Sequence, residues 1–153
     1  MQTIEVKTKS RPSTVYCGKG AAEKARDILR GKDVFVVTDA NVFRLYEKWA
    51  KDMFGDAPIC VVPAGERHKN RGTRFAILDK MLDARLNRGS VLVALGGGVV
   101  GDMAGLAASL YMRGIHAVQV PTTLLAQVDS SVGGNTAIDH RGVKNVIGAF
   151  YQP

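Results

Sequence analysis

The sequence predicts an α/β fold with a mainly parallel sheet and flanking helices, and three observations carry that expectation. Short continuous apolar runs recur at Val34–Val37, Ile59–Val62 and Ser90–Leu95, the pattern of strands covered on both faces. The stretches between them place apolar residues three to four apart, the period of a helix that packs by one face. Strands that alternate with helices in this way build a parallel sheet through helical crossovers.

Each element follows in order. Thr3–Lys9 alternates apolar and polar residues, with Ile4 and Val6 on one side, and Thr14–Cys17 is a second extended run; together they open the chain with a β-unit. Lys24–Arg30 reads as a helix with Ala25, Ile28 and Leu29 on one face, ended by Gly31. After the strand Val34–Val37, Asn41–Phe54 is helical, with a stripe of Val42, Leu45, Trp49 and Met53. Ile59–Val62 is a strand stopped by Pro63. Thr73–Leu86 reads as a long helix with its stripe on Phe75, Leu78, Leu82 and Leu86. Ser90–Leu95 runs through Gly96-Gly97-Gly98 into a small-residue helix, Val99–Tyr111, and Ala117–Val120 closes the series. Gln127–Pro153 shows neither helical nor strand period and is expected to be a long polar loop, crowded with Asp129, Ser130, Ser131, Asn135, Thr136, Asp139, His140, Lys144 and Asn145. No repeat, linker or boundary divides the chain, so residues 1–153 are expected to form one domain.

Composition removes whole classes of function. The chain has 153 residues, 21 Lys+Arg against 14 Asp+Glu, and a net charge of +7. No apolar run approaches the ~20 residues that cross a bilayer, and the first residues lack the apolar stretch of a signal peptide. A soluble, cytoplasmic protein with no membrane contact is expected. Cys17 and Cys60 form no C-x-x-C pair and read as ordinary thiols. Aromatic residues make up 7%, and the densest basic stretch, Glu66–Arg71, contains an acid and no interleaved ring, which argues against a nucleic-acid platform. A phosphorylated small molecule is a better reason for the basic balance.

In parallel sheets, ligands bind beyond the carboxyl ends of the strands. Gly96, Gly98 and Gly101 form G-x-G-x-x-G between a strand and a helix, where backbone N–H groups can approach a diphosphate. No acid follows about 20 residues later, so the turn alone does not distinguish a phosphate cradle from a tight strand-to-helix connection. Asp39 and Asn41 follow an early strand and suit either ribose hydroxyls or a helix cap. Glu66 and Lys69 could be a ligand turn or a solvated capping pair. Thr122 and Thr123 offer hydroxyls at a helix start, again a good cap.

The runs LGGGVVGDMAGLAASLYMRG, VPTTLLAQVDSSVGG and KNVIGAFYQP closely resemble the 3-dehydroquinate synthase family of sugar phosphate cyclases. The near-continuous likeness spans about Val91–Pro153, and TDANV and PAGERHK match more loosely in the same order. The resemblance implies a Rossmann-like domain that binds NAD. It implies an enzyme that cyclises 3-deoxy-D-arabino-heptulosonate 7-phosphate to 3-dehydroquinate, with loss of phosphate, in the shikimate pathway of aromatic amino acid biosynthesis. It also implies a homodimer and a divalent metal, zinc or cobalt, held by a helical C-terminal domain that lies beyond residue 153. The chain is therefore expected to be the nucleotide-binding part of such an enzyme, inactive alone and holding no metal ligands of its own. On the same ground, cofactor contacts fall to Asp39, Asn41, Glu66, Lys69, Gly97, Gly98, Val99, Asp102, Thr122, Thr123, Leu125, Asp129 and Lys144, and catalytic roles to Arg113, Asp129, Lys144 and Asn145.

Three departures from the family pattern stand out. Asn135 replaces the commoner Lys of V-G-G-K-T and forfeits a charge-assisted contact of about 1.5–3 kcal/mol. Asp139 and Arg141-Gly142-Val143 replace N-H-P-x-G, and His68 stands where Tyr is usual. Asn135 keeps open a sibling cyclase that makes a cyclitol from another sugar phosphate. A non-catalytic nucleotide-binding module is the alternative from another class.

Overall fold

The computed structural model describes residues 1–8 and 11–153. Strands β1 (Gln2–Val6) and β2 (Ser13–Cys17) pair antiparallel, the expected opening unit. Lys9, assigned above to the end of the first strand, lies outside the described residues. Helix α1 (Ala21–Leu29) leads to β3 (Val34–Asp39), α2 (Ala40–Phe54), β4 (Ile59–Val62), α3 (Arg71–Asp83), β5 (Val91–Gly96), α4 (Gly98–Leu110) and β6 (His116–Pro121). β3 to β6 form a four-stranded sheet, all parallel, in the order β4-β3-β5-β6.

The central strand explains the two-layered core. All six residues of β5 are buried, and alternate side chains face opposite sides. Leu92 and Ala94 join Phe35, Val37, Ile77, Met81, Val100 and Met103 on the α3/α4 side. Val91, Val93 and Leu95 join Val36, Leu29 and Ala50 on the α1/α2 side. Helix α4 buries eight of its residues, Gly101, Gly105 and several alanines among them, and lies close against the sheet.

The helices are where expected, but three faces differ. In α3 the buried side chains are Ile77 and Met81, while Phe75 and Leu82 are exposed. Two overlapping stripes fit a helical period there, and the sheet selects the one that reaches β5. Leu86 is buried beyond the helix end, where Arg85 adopts φ 56° and turns the chain inward. In α2, Leu45 is exposed and Ala50 takes its place in the core. In α1, Leu29 is buried and Ile28 exposed.

The expected polar loop is a correction. After α5 (Leu124–Val128), the chain forms an antiparallel hairpin of β7 (Asn135–His140) and β8 (Val143–Phe150). Arg141 and Gly142 make its turn with φ 50° and 80°, the two positive angles of the favoured two-residue hairpin loop. Thr136 and Ile138 are buried and alternate with exposed or half-buried neighbours, a period of two that the surrounding polar residues obscure.

Candidate functional site

Because β3 to β6 are parallel, their carboxyl ends share one edge. Asp39 lies beside Val62, Thr38 beside Leu95 and Gly96 beside Pro121. The segments that follow them therefore converge: Asp39–Asn41, Glu66–Lys69, Gly97–Asp102 and Thr122–Leu125. The hairpin docks on the same edge, where the Asp139 N–H donates to the Lys69 carbonyl at 2.9 Å.

The glycines at the start of α4 differ in what they serve. A Cβ on Gly96 would lie 2.7 Å from the Val100 side chain, one on Gly101 2.8 Å from Gln119 Oε1, and one on Gly105 2.5 Å from Thr136 Cγ2. These three are required by packing. A Cβ on Gly98 would meet only Ser130 Oγ, 4.0 Å away, and one on Gly97 would come no closer than 3.5 Å to Thr123. Gly97 caps α4 with no side chain, so the first N–H groups of the helix face open ground with their positive end of the dipole. Ser130 is 7% exposed, and its buried hydroxyl has no hydrogen-bond partner among the described residues. An uncapped helix start, an open glycine and a spare buried donor fit the diphosphate of a dinucleotide.

One turn further along α4, Asp102 meets Lys69. The Lys69 ammonium is 2.6 Å from Asp102 Oδ2 and donates to Asn145 Oδ1 at 2.5 Å. Lys69 is 4% exposed, so the solvated Glu66–Lys69 pair is excluded: Glu66 is exposed, and Lys69 turns inward. Asn145 adopts φ 51°, and its N–H donates to Asp139 Oδ1 at 2.8 Å. Burial pushes the Asp102 carboxyl above its usual range, against the pull of Lys69, and the charges of Asp129 and Glu66 add to the rise.

The remaining expected residues divide. Asp39 Oδ1 accepts from the Asn41 and Val42 N–H groups and caps α2, and Thr123 Oγ1 accepts from Ala126 N–H and caps α5. Thr122 N–H donates to the Gly96 carbonyl, which fixes it beside the glycine turn. Leu125, Asp129 and Lys144 are exposed at this edge. Asn135 is also exposed, at the other end of β7 from Asp139, where it pairs with Phe150. Arg113 is not brought to the site. It lies in the turn Tyr111–Arg113 before β6, at the amino end of the sheet, one helix length from Gly98. It is exposed, with φ 68°. Ser130 is the residue that motif reasoning passed over; its signal was its place among the polar residues after α5.

Among the described residues no group of three or more His, Cys, Asp or Glu is placed to hold a metal ion, and no helix is long and apolar enough to cross a membrane. Cys60 is buried, and burial pushes its thiol up despite nearby Lys80, as befits an inert packing residue.

Comparison with known proteins agrees with this geometry. Residues 59–153 match the 3-dehydroquinate synthase N-terminal family model. The chain is 49% identical over 159 residues to the 3-dehydroquinate synthase of Azotobacter vinelandii and 46% over 161 residues to that of Pelotomaculum thermopropionicum. Each alignment takes in 100% of this chain and 43% of the relative, so the chain spans less than half the length of the curated relatives it matches. Among solved structures, 2-deoxy-scyllo-inosose synthase complexed with carbaglucose-6-phosphate, NAD+ and Co2+ superposes with a TM-score of 0.86 at 29% identity, over 99% of this chain and 44% of that one. The 2-epi-5-epi-valiolone synthase of Streptomyces hygroscopicus, with NAD+ and Zn2+ bound, gives 0.75 at 32% identity, over 82% and 37%. With the glycine turn, the threonine pair and the Lys69 turn gathered at one edge of a parallel sheet, the chain belongs to the 3-dehydroquinate synthase family.

Proposed function

We propose that this chain is the NAD-binding portion of a 3-dehydroquinate synthase. The full-length enzyme would cyclise 3-deoxy-D-arabino-heptulosonate 7-phosphate to 3-dehydroquinate with release of phosphate, as a cytoplasmic homodimer. The observation that carries this reading is the open, uncapped start of α4 at Gly97–Gly98, set between the threonine pair and the buried Lys69–Asp102 pair. When bound, NAD+ supplies reversible hydride transfer, so that it is not consumed overall.

The chain's own residues would bind and orient. The N–H groups of Gly98 and Val99 would hold the diphosphate, with Gly97 leaving the approach clear. Thr122, Thr123 and Leu125 would line one side of the cofactor, and Asp39 and Asn41 the adenosine end. Lys69 would neutralise Asp102 and hold Asn145, so that the hairpin presents Lys144 to the anionic substrate as a point charge. Asp129 would lie next to it at the reacting end. Among the described residues no three His, Cys, Asp or Glu come together for a metal ion, and the 153-residue chain alone is expected to form no dehydroquinate.

The test is an assay of the full-length protein with NAD+ and a divalent metal. Dehydroquinate formed with equal phosphate release supports the proposal. A second reading, a cyclase that makes a cyclitol, is favoured by Asn135 and by the two cyclases among the solved structures. A cyclitol product from a hexose or heptulose phosphate, with none from the heptulosonate, would establish it instead. NAD+ binding without either turnover would favour the non-catalytic module.

A further inference from the structure

The Ser130 hydroxyl is buried and has no partner among the described residues, and burying a hydroxyl without a hydrogen bond is costly. Such an atom is expected to answer to something. Its surroundings say what. Ser130 lies two residues beyond α5, and its backbone neighbours are tied down: the Ser131 N–H donates to the Ala126 carbonyl and the Asp129 N–H to the Leu125 carbonyl, each at 3.0 Å. The side chain is thereby held under the first turn of α4. There a Cβ on Gly101 would lie 3.0 Å from Ser130 Oγ. The other polar side chain at this spot, Gln119, donates its Nε2 to the Gly101 carbonyl at 3.1 Å and makes no hydrogen bond with Ser130 Oγ. Above Gly98 the space is open: among the described residues, Ser130 Oγ, at 4.0 Å, is the one atom near where a Cβ would stand.

We propose that Ser130 is a ligand-binding residue that donates its hydroxyl to a diphosphate oxygen seated over Gly98, beside the free N–H groups of α4. This rests on the NAD reading above and adds to it a donor that the glycine motif does not contain. A hydroxyl held rigid from the far side of the turn would fix the oxygen's position, because the backbone donors approach it only from the helix axis. No bond is made or broken; the role is binding and positioning.

The test uses the full-length protein, with NAD+ and ADP as probes in titration calorimetry and with thermal melts of the unliganded protein. Ser130→Ala and Ser130→Cys should melt no lower than wild type, since an unpartnered hydroxyl contributes nothing to the unliganded fold. Both should bind NAD+ and ADP about tenfold more weakly, the scale of a lost hydrogen bond to a charged group. Unchanged affinity for both probes would overturn the assignment while leaving the NAD reading intact. Lower melting temperatures of the unliganded variants would make the hydroxyl a structural bond and overturn it as well. Wild-type protein that binds neither probe would overturn the Ser130 assignment and the NAD reading together.

Discussion

The Lys69 ammonium and the Asp102 carboxylate, 2.6 Å apart with side chains 5% and 18% exposed, fasten the Glu66–Lys69 turn to the first turns of α4. Removing one partner of such a pair leaves the other buried and uncompensated, a cost of several kcal/mol. Lys69→Met should therefore destabilise the protein by about 3 kcal/mol at neutral pH in denaturant unfolding. The double variant Lys69→Met with Asp102→Asn should recover part of that loss. A double variant less stable than Lys69→Met alone would contradict the pairing.

The raised Asp102 pKa fixes a sign for pH. Its carboxyl holds a proton more readily in the folded state than in the unfolded chain, where its ordinary value is 3.8. The stability this contributes is fully present below 3.8 and falls as pH rises through the higher folded value. The stability of wild type relative to Asp102→Asn should decline over that window. The deficit of Lys69→Met should shrink as pH is lowered towards about 4, the ordinary carboxyl range, because Asp102 can then take up a proton. Parallel pH profiles for wild type and Asp102→Asn would refute the assignment to this carboxyl.

The glycines of α4 should separate under substitution. At Gly98 a Cβ would stand 4.0 Å from Ser130 Oγ, and Gly98→Val replaces a poor helix former, so the melting temperature should hold or rise. Its NAD+ affinity should fall at least tenfold, on the order of one lost charged hydrogen bond or more. Gly105→Ala would bring a Cβ to 2.5 Å from Thr136 Cγ2, and overpacking of this kind costs about 1–3 kcal/mol. Its binding should remain near wild type wherever the protein is folded. Equal NAD+ affinity in wild type and Gly98→Val would reduce the turn to packing.

Asn135 is exposed at the start of β7 and has room for a longer side chain. Asp139 cannot stand in for a missing cation, because its carboxylate is itself an anion, with Oδ1 accepting from the Asn145 N–H. In the full-length enzyme, Asn135→Lys should lower the KM for the heptulosonate phosphate about fivefold, the difference between a neutral and a charge-assisted hydrogen bond. The NAD+ affinity should change much less. A KM that stayed put or rose, in this variant and in its combination with Asp139→Asn, would remove Asn135 as a weakened anion site.

The sequence by itself determined the order of strands and helices as far as β6 and the parallel sheet, and it offered caps at Asp39 and Thr123. Each depends on neighbours within a few positions, and that is the range over which apolar period and capping act. Tertiary structure decided the rest. Two stripes on α3 fit a helical period, and contact with β5 chose Ile77 and Met81 over Phe75 and Leu82. The glycines read alike in sequence, yet only the approach of Val100, Gln119 and Thr136 shows that Gly96, Gly101 and Gly105 serve packing while Gly98 stays open. Lys69 has an acid three residues away and turns instead to Asp102, because parallel strands bring their carboxyl ends together and burial favours a partner that is held in place. The hairpin of β7 and β8 was legible in Arg141-Gly142 and in the alternation of Thr136 and Ile138, but a period of two is faint where its outward residues are polar and its inward ones few. Arg113 lies near the site's residues in sequence and far from them in space, because α4 carries the chain from the carboxyl edge of the sheet back to the amino edge before Arg113 is reached.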